Sequence, residues 1–242
     1  MAEDIDALPK GAGMWGQVVA GLLLVPALGL GAWALGETAD TGGGPPRPAA
    51  CSAGEPEETR GETAAARGRL SGDQLCEALN RPDLARLLGT PEEMATSANG
   101  SDGSLKLAGE ARDIATPTSE VEFPTYTVTL AATYDGRPVA GYTPFGGHSA
   151  EERTVLGRPA VLYSDQTISI RFRLDGSDAE TGPGVPARTV VVARDAKDSG
   201  GSYEVTLWRR DGAVPDDAVL LRVAASILPT LPGWAPVSAV QQ

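Results

Sequence analysis

Residues 187–210 read ARTVVVARDAKDSGGSYEVTLWRR, two stretches of strand-forming residues on either side of a polar, glycine-containing segment. In the second stretch the side chains alternate in character, as they do in a strand with one buried face. One face is expected to carry Tyr203, Val205, Leu207 and Arg209, and the other Glu204, Thr206 and Trp208. The segment 195–201 has the composition of a hairpin connection. An antiparallel pair of strands is therefore predicted over 187–194 and 202–210.

The residues before this hairpin extend the strand pattern. Over 126–133 Tyr, Val, Leu and Ala stand at alternate positions between Thr and Ala residues, and an Asp135-Gly136 turn follows. Further strands are expected at 153–156, 159–164 and 168–174. Most of the connections between these strands are short, which favours an antiparallel sheet.

Two short helices are predicted before the strands. Ser71 and Gln74 have capping-box spacing for a helix over 72–80, whose inner face is expected to contain Leu75, Ala78 and Leu79. The second helix is expected to start at Pro82 and to end at a Gly89 C-cap, with an apolar stripe of Leu84, Leu87 and Leu88.

A final helix is predicted to begin at Pro215-Asp216-Asp217 and to end before Pro229 and Pro232. Its apolar stripe is expected to consist of Val219, Leu220, Val223 and Ile227. Helices at both ends of a run of strands predict one α+β domain over 70–235, an antiparallel sheet with helices packed on it, followed by a tail at 236–242.

Residues 14–35, MWGQVVAGLLLVPALGLGAWAL, carry no charge. As a helix they would span about 33 Å, enough to cross the hydrocarbon core of a bilayer. Trp15 and Trp33 stand near the two ends, where indole rings favour the membrane interfaces. The sequence therefore predicts a transmembrane helix at 14–35 that binds the lipid bilayer and follows a cytoplasmic tail at 1–13.

Other interpretations of this segment fit its residues less well. A cleaved signal peptide has a shorter apolar region and a basic start. A lipoprotein signal would place its cysteine directly after the apolar run, whereas a polar stretch precedes Cys51. Gly11, Gly13 and Gly16 match the dinucleotide-binding spacing, but no strand precedes them. An uncleaved anchor is therefore expected.

The segment 36–69 has few large apolar residues and many Gly, Pro and Glu residues, which predicts a disordered linker. Cys51 within it and Cys76 in the first predicted helix are the only cysteines. They are either two free thiols or, as we prefer, a disulfide between linker and helix. A disulfide requires an oxidising compartment. The charge bias around the apolar segment slightly favours an N-terminus in the cytoplasm. Together with the disulfide, it predicts a single-pass plasma-membrane protein with a cytoplasmic N-terminus and an extracytoplasmic domain.

Charge and motifs restrict the function. The formal net charge of −12 argues against nucleic acid as a partner, because phosphate binding needs clusters of Lys and Arg. The lone histidine, His148, lies in a polar Gly-rich segment and is expected to be a solvated surface residue. With one histidine and two distant cysteines, a Cys/His metal site is not expected. No catalytic or cofactor-binding motif occurs either.

Acidic and aromatic residues leave three alternatives open. Carboxylates in two glycine-containing loops could hold calcium or serve a hydrolase, and these are Asp175, Asp178, Glu180, Asp195 and Asp198. Trp208 and Trp234 could line a ligand groove, although packing in the core or at its edge is the simpler interpretation.

Several of these segments resemble an uncharacterised family of Streptomyces membrane proteins, domain-of-unknown-function family 6215. They are residues 70–91 (LSGDQLCEALNRPDLARLLGTP), 153–168, 191–211 and 216–234. The resemblance implies a bacterial cell envelope and a single anchor, and it carries over no functional residue. We therefore expect a non-enzymatic module that binds a protein or envelope component, with a carboxylate hydrolase or an accessory subunit of a membrane complex as alternatives.

Overall fold

The structure, a computed structural model, describes residues 47–53, 68–106, 113–142, 150–171 and 180–234. These residues belong to one compact unit that starts at Arg47. The strands are β1 Ser52–Ala53, β2 Ser97–Ser101, β3 Ser104–Leu105, β4 Ile114–Ala115, β5 Thr118–Glu122, β6 Tyr126–Thr133, β7 Ala150–Val155, β8 Arg158–Arg171, β9 Glu180–Ala193 and β10 Ser202–Arg209. The helices are α1 Gly72–Leu79, α2 Leu84–Leu88 and α3 Asp217–Ile227, and a 3₁₀ turn follows at Leu228–Thr230.

Eight strands form one sheet in the order β1-β2-β5-β6-β10-β9-β8-β7, and β3 pairs with β4 separately. Every pair in the large sheet is antiparallel except β1 with β2. The predicted hairpin is confirmed, because β9 pairs with β10 around the 195–201 connection. Since β10 also pairs with β6, this hairpin lies at the centre of the sheet.

The three helices pack on one side of the sheet. Helix α1 contacts β2, β5 and β6, α3 contacts β9 and β10, and α2 rests on α3. The capping box of Ser71 and Gln74 is present, and Gly89 ends α2 in a left-handed conformation. Helix α2 begins at Leu84, later than the predicted Pro82. The antiparallel sheet with a few packed helices agrees with the predicted α+β fold of the domain.

The apolar core lies between the sheet and the helices. Leu75 and Leu79 of α1 and Leu220, Val223 and Ile227 of α3 are fully buried there. Tyr203, Val205 and Leu207 of β10 face this core, as the alternation predicts. On the opposite face, a smaller apolar cluster contains Val139, Val161, Tyr163, Val191 and Ala193.

The predicted strands 159–164 and 168–174 are one continuous strand, β8, with a register shift between Gln166 and Ile168. Its partner β9 begins at Glu180, well before the predicted residue 187, although it contains Pro183 and Pro186. Both prolines lie outside the part of β9 that pairs with β10. They are tolerated there because a strand with one neighbour needs no N–H donor on its free side.

The edge of the sheet formed by β1, β2 and β5 was not predicted. Strands β2 and β5 consist of SANGS and TSEVE, which have too little apolar alternation to indicate strands. Residues 47–53 also differ from the disordered linker expected over 36–69. Ser52 and Ala53 pair with Asn99 and Gly100, and the Ala49 amide donates to the Ala95 carbonyl. The remaining linker residues before 68 lie outside the described ranges.

Candidate functional site

Two surface cavities of the described domain have volumes in the range of small-molecule sites. The first, of about 450 Å³, lies beside α1 and α2 and is lined by Gln74, Glu77, Ala78, Arg81, Pro82, Asp83, Thr230 and Pro232. The arginine in this lining has partners within the protein, since Arg81 forms an ion pair with Asp83 and donates a hydrogen bond to the Ser226 carbonyl at 2.8 Å. This arrangement joins α2 to α3 and explains these charges structurally.

The second cavity, of about 510 Å³, lies at the end of the sheet where β6 and β9 finish and β10 begins. It is lined by Gly68, Arg69, Tyr134, Gly136, Arg194, Asp195, Ser199, Gly200 and Gly233. We call it the Tyr134 cavity. Its lining comes from chain segments far apart in sequence, which only the sheet order brings together.

Tyr134 is the centre of this cavity. Its hydroxyl oxygen accepts a hydrogen bond from the Leu70 amide at 2.7 Å, which ties the residue before α1 to the end of β6. Burial raises the pKa of the Tyr134 hydroxyl, and the Leu70 hydrogen bond and two arginine charges offset part of this effect. The side chain is therefore neutral at physiological pH and acts as a fixed platform.

Two guanidinium groups lie over that platform. Cζ of Arg194 is 4.6 Å from the centroid of the Tyr134 ring, and Cζ of Arg69 is 5.5 Å from it. Neither arginine forms an ion pair with a carboxylate among the described residues. Nε of Arg194 is buried and makes no hydrogen bond within the described part of the chain. Such a donor is rare, because buried polar groups are almost always paired.

A third arginine supports the wall of the cavity from the core side. Arg158 is buried, and its Cζ lies 3.3 Å from the centroid of the Trp234 ring. Its Nη1 donates to the Arg194 carbonyl, so it holds the backbone at the end of β9. Arg158 therefore positions Arg194 through the backbone.

The two tryptophans do not share a groove. Trp234 packs against the core and is 5.8 Å from the Tyr203 ring, on the helix side of the sheet. Trp208 is half-buried and belongs to the alternating set that faces the other way. A single groove lined by both tryptophans is therefore excluded, and packing at the edge of the core accounts for Trp234.

The acidic loop after β9 uses its carboxylates to hold backbone. Asp195 accepts from the Lys197 amide at 2.8 Å and from the Ser199 hydroxyl, and the latter bond holds the pKa of Asp195 below its usual range. Asp198 accepts from the amides of Val139 and Ala140, each at 2.8 Å. These bonds close the loop and fasten it to the chain after β6.

The calcium and hydrolase alternatives find no support in this loop. Asp195 and Asp198 bind different backbone segments, and no group of three or more acidic, His or Cys residues within the described ranges is arranged to hold a metal ion. His148, Asp175 and Asp178 lie outside the described residues, and the side chain of Glu180 is not described.

Buried polar groups also occur on the face of the sheet opposite the helices. The hydroxyls of Thr189 and Thr206 are 2.9 Å apart, and burial raises the pKa of Glu204, with a contribution from Asp165. Burial also raises the pKa of the Tyr163 hydroxyl, whose ring lies 6.1 Å from that of Tyr142. None of these side chains lines either of the two cavities.

The two cysteines are brought together. Sγ of Cys51 lies 2.05 Å from Sγ of Cys76, which is disulfide-bonding distance. Cys76 is fully buried on the inner face of α1, so the pair fastens residues 47–53 to the core. The predicted membrane segment, with Trp15 and Trp33, lies outside the described residues. Within those residues, no helix is both long enough and apolar enough to cross a bilayer.

The sequence did not single out Arg69, Tyr134 or Arg194. The one available signal was positional: Tyr134 and Arg194 each stand directly after a strand and before a turn that contains Asp. If both strands paired with β10, the two residues would lie at the same end of the sheet, but the strand order was not predicted.

Comparison with known proteins gives one result. No curated protein and no solved structure matches the chain significantly. The sequence profile of a family of unknown function (DUF6215) matches residues 9–149, more than half of the chain. The match includes the cysteine pair, α1 and α2, and the strands as far as β6, but it ends before β7. The chain thus belongs to the family of unknown function DUF6215.

Proposed function

We propose that this protein is a membrane-anchored domain of the bacterial cell envelope that acts outside the cytoplasm by binding a partner. The observation that carries the proposal is the pair of cysteines at bonding distance. Disulfides persist in oxidising compartments and are rare in the cytosol. The uncharged segment 14–35 is long enough to anchor the chain beside the segment that holds Cys51.

A binding role fits the chemistry of the Tyr134 cavity better than a catalytic one. Arg69 and Arg194 supply hydrogen-bond donors over a rigid aromatic ring. The one carboxylate in the lining, Asp195, is held by the Ser199 hydroxyl and by loop amides. Because its pKa is lowered, it is a poor proton acceptor at neutral pH. The cavity can hold and orient a ligand with its own side chains.

The location of the domain is tested with reporter fusions at the C-terminus of the full chain. Alkaline phosphatase fused after residue 242 should be active, because this enzyme needs an oxidising compartment, and a green fluorescent protein at the same place should be dark. Fusions after residue 13 are the matched control and should show the reverse pattern. A fluorescent C-terminal fusion with inactive phosphatase would refute the proposal.

Binding is tested by affinity capture with the full chain, solubilised in a nonionic detergent, from bacterial envelope extract. A specific partner should be retained by the native chain and lost when the arginines at the cavity are replaced (Arg69→Ala with Arg194→Lys). The variant Arg86→Ala is a control, since Arg86 is an exposed residue of α2 that does not belong to this lining. Equal capture by all three chains would exclude the Tyr134 cavity as the binding site.

A further inference from the structure

The Tyr134 cavity concentrates positive charge on a protein of net charge −12. Six arginines of the described domain form ion pairs with carboxylates, as Arg188 does with Asp217 and Arg209 does with Asp211. Arg69 and Arg194 differ, because both lie over Tyr134 and neither is paired among the described residues. We propose that the Tyr134 cavity is an oxyanion site, in which a carboxylate or phosphate group of the ligand binds between Arg69 and Arg194. The inference rests on the proposed binding function and names the chemistry of its ligand.

The contacts of both arginines with the Tyr134 ring support this assignment. A guanidinium over an aromatic ring is attracted by the ring as a cation, and this contact occupies no hydrogen-bond acceptor, so its N–H groups remain available to a ligand. Those N–H groups form a planar fork that matches two oxygens of a carboxylate or phosphate. The Nε of Arg194 has no hydrogen-bond partner within the described chain, so this guanidinium is not committed through Nε to an acceptor of the domain.

The ring below both arginines and the backbone at or beside them are held before any ligand binds. Tyr134 is fixed by the hydrogen bond from Leu70, which lies directly after Arg69 in the chain. The backbone of Arg194 is held by the side chain of Arg158 and by the hydrogen bond that the Arg194 amide donates to the Gly201 carbonyl at 3.2 Å. A site whose backbone is held in place loses less entropy when a ligand binds, which raises affinity.

The carboxylate of Asp195 does not cancel this charge. Its oxygens accept three hydrogen bonds from its own loop, two from amides and one from the Ser199 hydroxyl. The Ser199 hydrogen bond is the main cause of the lowered pKa of Asp195, and the charge of Arg158 contributes least. The lining holds two guanidinium groups and one carboxylate, so positive charge is in excess at the cavity.

The size of the cavity and its glycines favour a group carried on a larger molecule. At about 510 Å³ the cavity falls within the range of small-molecule sites, which is roughly 300–1,000 Å³. Gly68, Gly136, Gly200 and Gly233 contribute no side chains to the lining, so a ligand can approach the backbone there. An oxyanion at the end of a peptide or on a phosphorylated polyol would fit this space.

The test uses isothermal titration calorimetry with the full chain in a nonionic detergent at constant ionic strength. The probes are glycerol phosphate for a phosphate source and N-acetylglycine for a peptide carboxylate, with chloride as the reference anion. Binding of either probe with a 1:1 stoichiometry supports the site, and the stronger probe identifies the source. Failure of both probes, relative to chloride, would overturn the inference.

Substitutions locate the bound probe. Arg69→Ala should weaken the stronger probe by about tenfold, the usual effect of losing one charge-assisted hydrogen bond. Arg194→Lys should also weaken binding, because an ammonium group keeps the charge without the planar fork. The Nε–H nuclear magnetic resonance signal that disappears in Arg194→Lys should shift in the native chain as the probe is added. No shift of this signal would place the probe elsewhere and overturn the assignment.

Arg86→Ala is the matched control, because it removes one exposed arginine without touching the cavity. Its affinity should equal that of the native chain, and an equal loss in all three variants would show nonspecific charge attraction, against the inference. The near-ultraviolet circular dichroism of each variant reports whether the fold is retained. If partner capture persists while both probes fail, the binding function stands and only the oxyanion assignment falls. If the probes bind and no partner is captured, the oxyanion assignment stands and the proposal of a binding partner falls.

Discussion

The bond between Cys51 and Cys76 is expected to be a major contribution to the stability of the domain. It closes a loop with a sequence separation of 25 residues. On the chain-entropy description, closing a loop of this length removes about 12 cal/mol/K from the unfolded chain, or about 3.5 kcal/mol at 25 °C. A single domain of this size is typically stable by about 5–15 kcal/mol. Reduction should therefore remove a substantial part of the free energy of unfolding.

The measurement is urea unfolding of the full chain in nonionic detergent, followed by far-ultraviolet circular dichroism, with and without a thiol reductant. The oxidised chain should unfold at higher urea, and extrapolation to water should separate the two free energies by about 3.5 kcal/mol. The reduced native chain keeps both sulfur atoms, so the comparison isolates the bond. The double variant Cys51→Ala with Cys76→Ala is the control and should not respond to reductant.

Two results would refute this reasoning. One is a free energy of unfolding that reductant leaves unchanged in the native chain. The other is the titration of two free thiols per chain after denaturation without reductant. The second result would also remove the main support for an extracytoplasmic location, because the cysteines would then give no evidence of an oxidising compartment.

Three further predictions concern packing, a loop contact and pH. Gly100→Ala should destabilise the domain by about 1–3 kcal/mol in urea unfolding, because a Cβ there would lie 2.3 Å from a backbone oxygen of α1. Gly182→Ala is the control and should be close to neutral, because a Cβ at that position would have no atom within 4 Å. Asp198→Asn should speed hydrogen exchange of either the Val139 or the Ala140 amide, because the amide side chain has one acceptor oxygen where the carboxylate has two. Unchanged protection of both amides would contradict this. Because burial raises the pKa of Glu204, the folded state holds that proton more tightly than the unfolded chain. Stability should then fall as pH rises from 4.5 through the folded-state pKa, and Glu204→Gln should flatten this fall in unfolding curves measured across that range; a native chain with no such fall would contradict the assignment.

Elements with strong local signals were predicted well. The capping box of Ser71 and Gln74, the apolar stripe of α3 and the strand over 126–133 each depend on residues close in sequence. The spacing of their apolar residues predicts which side chains are buried, and the residues at the helix ends predict the capping hydrogen bonds. Neither prediction requires knowledge of the neighbouring strands. Strands β2 and β5 were missed because their polar residues give no such signal, and pairing with neighbours stabilises them.

The Tyr134 cavity shows what no local pattern contains. Arg69 precedes the first helix, Tyr134 follows β6 and Arg194 follows β9, so each residue alone has the appearance of ordinary turn or linker sequence. Tyr134 and Arg194 are close together because β10 lies between β6 and β9, so that the C-terminal ends of β6 and β9 are at the same end of the sheet. The cysteine pair could be proposed from composition, since only two cysteines exist, but its bonding distance depends on where β1 pairs.

By itself, the sequence determined the uncharged segment at 14–35, the acidic charge, the hairpin over 187–210 and the capped helices, because these properties depend on residue type and on contacts within a few residues. The tertiary structure alone decided the strand order, the ordering of residues 47–53 and the pairing of acidic side chains with loop amides. It also decided which arginines find a carboxylate and which lie unpaired over Tyr134. Long-range register sets those distances, and register is fixed by the packing of the whole sheet against its helices.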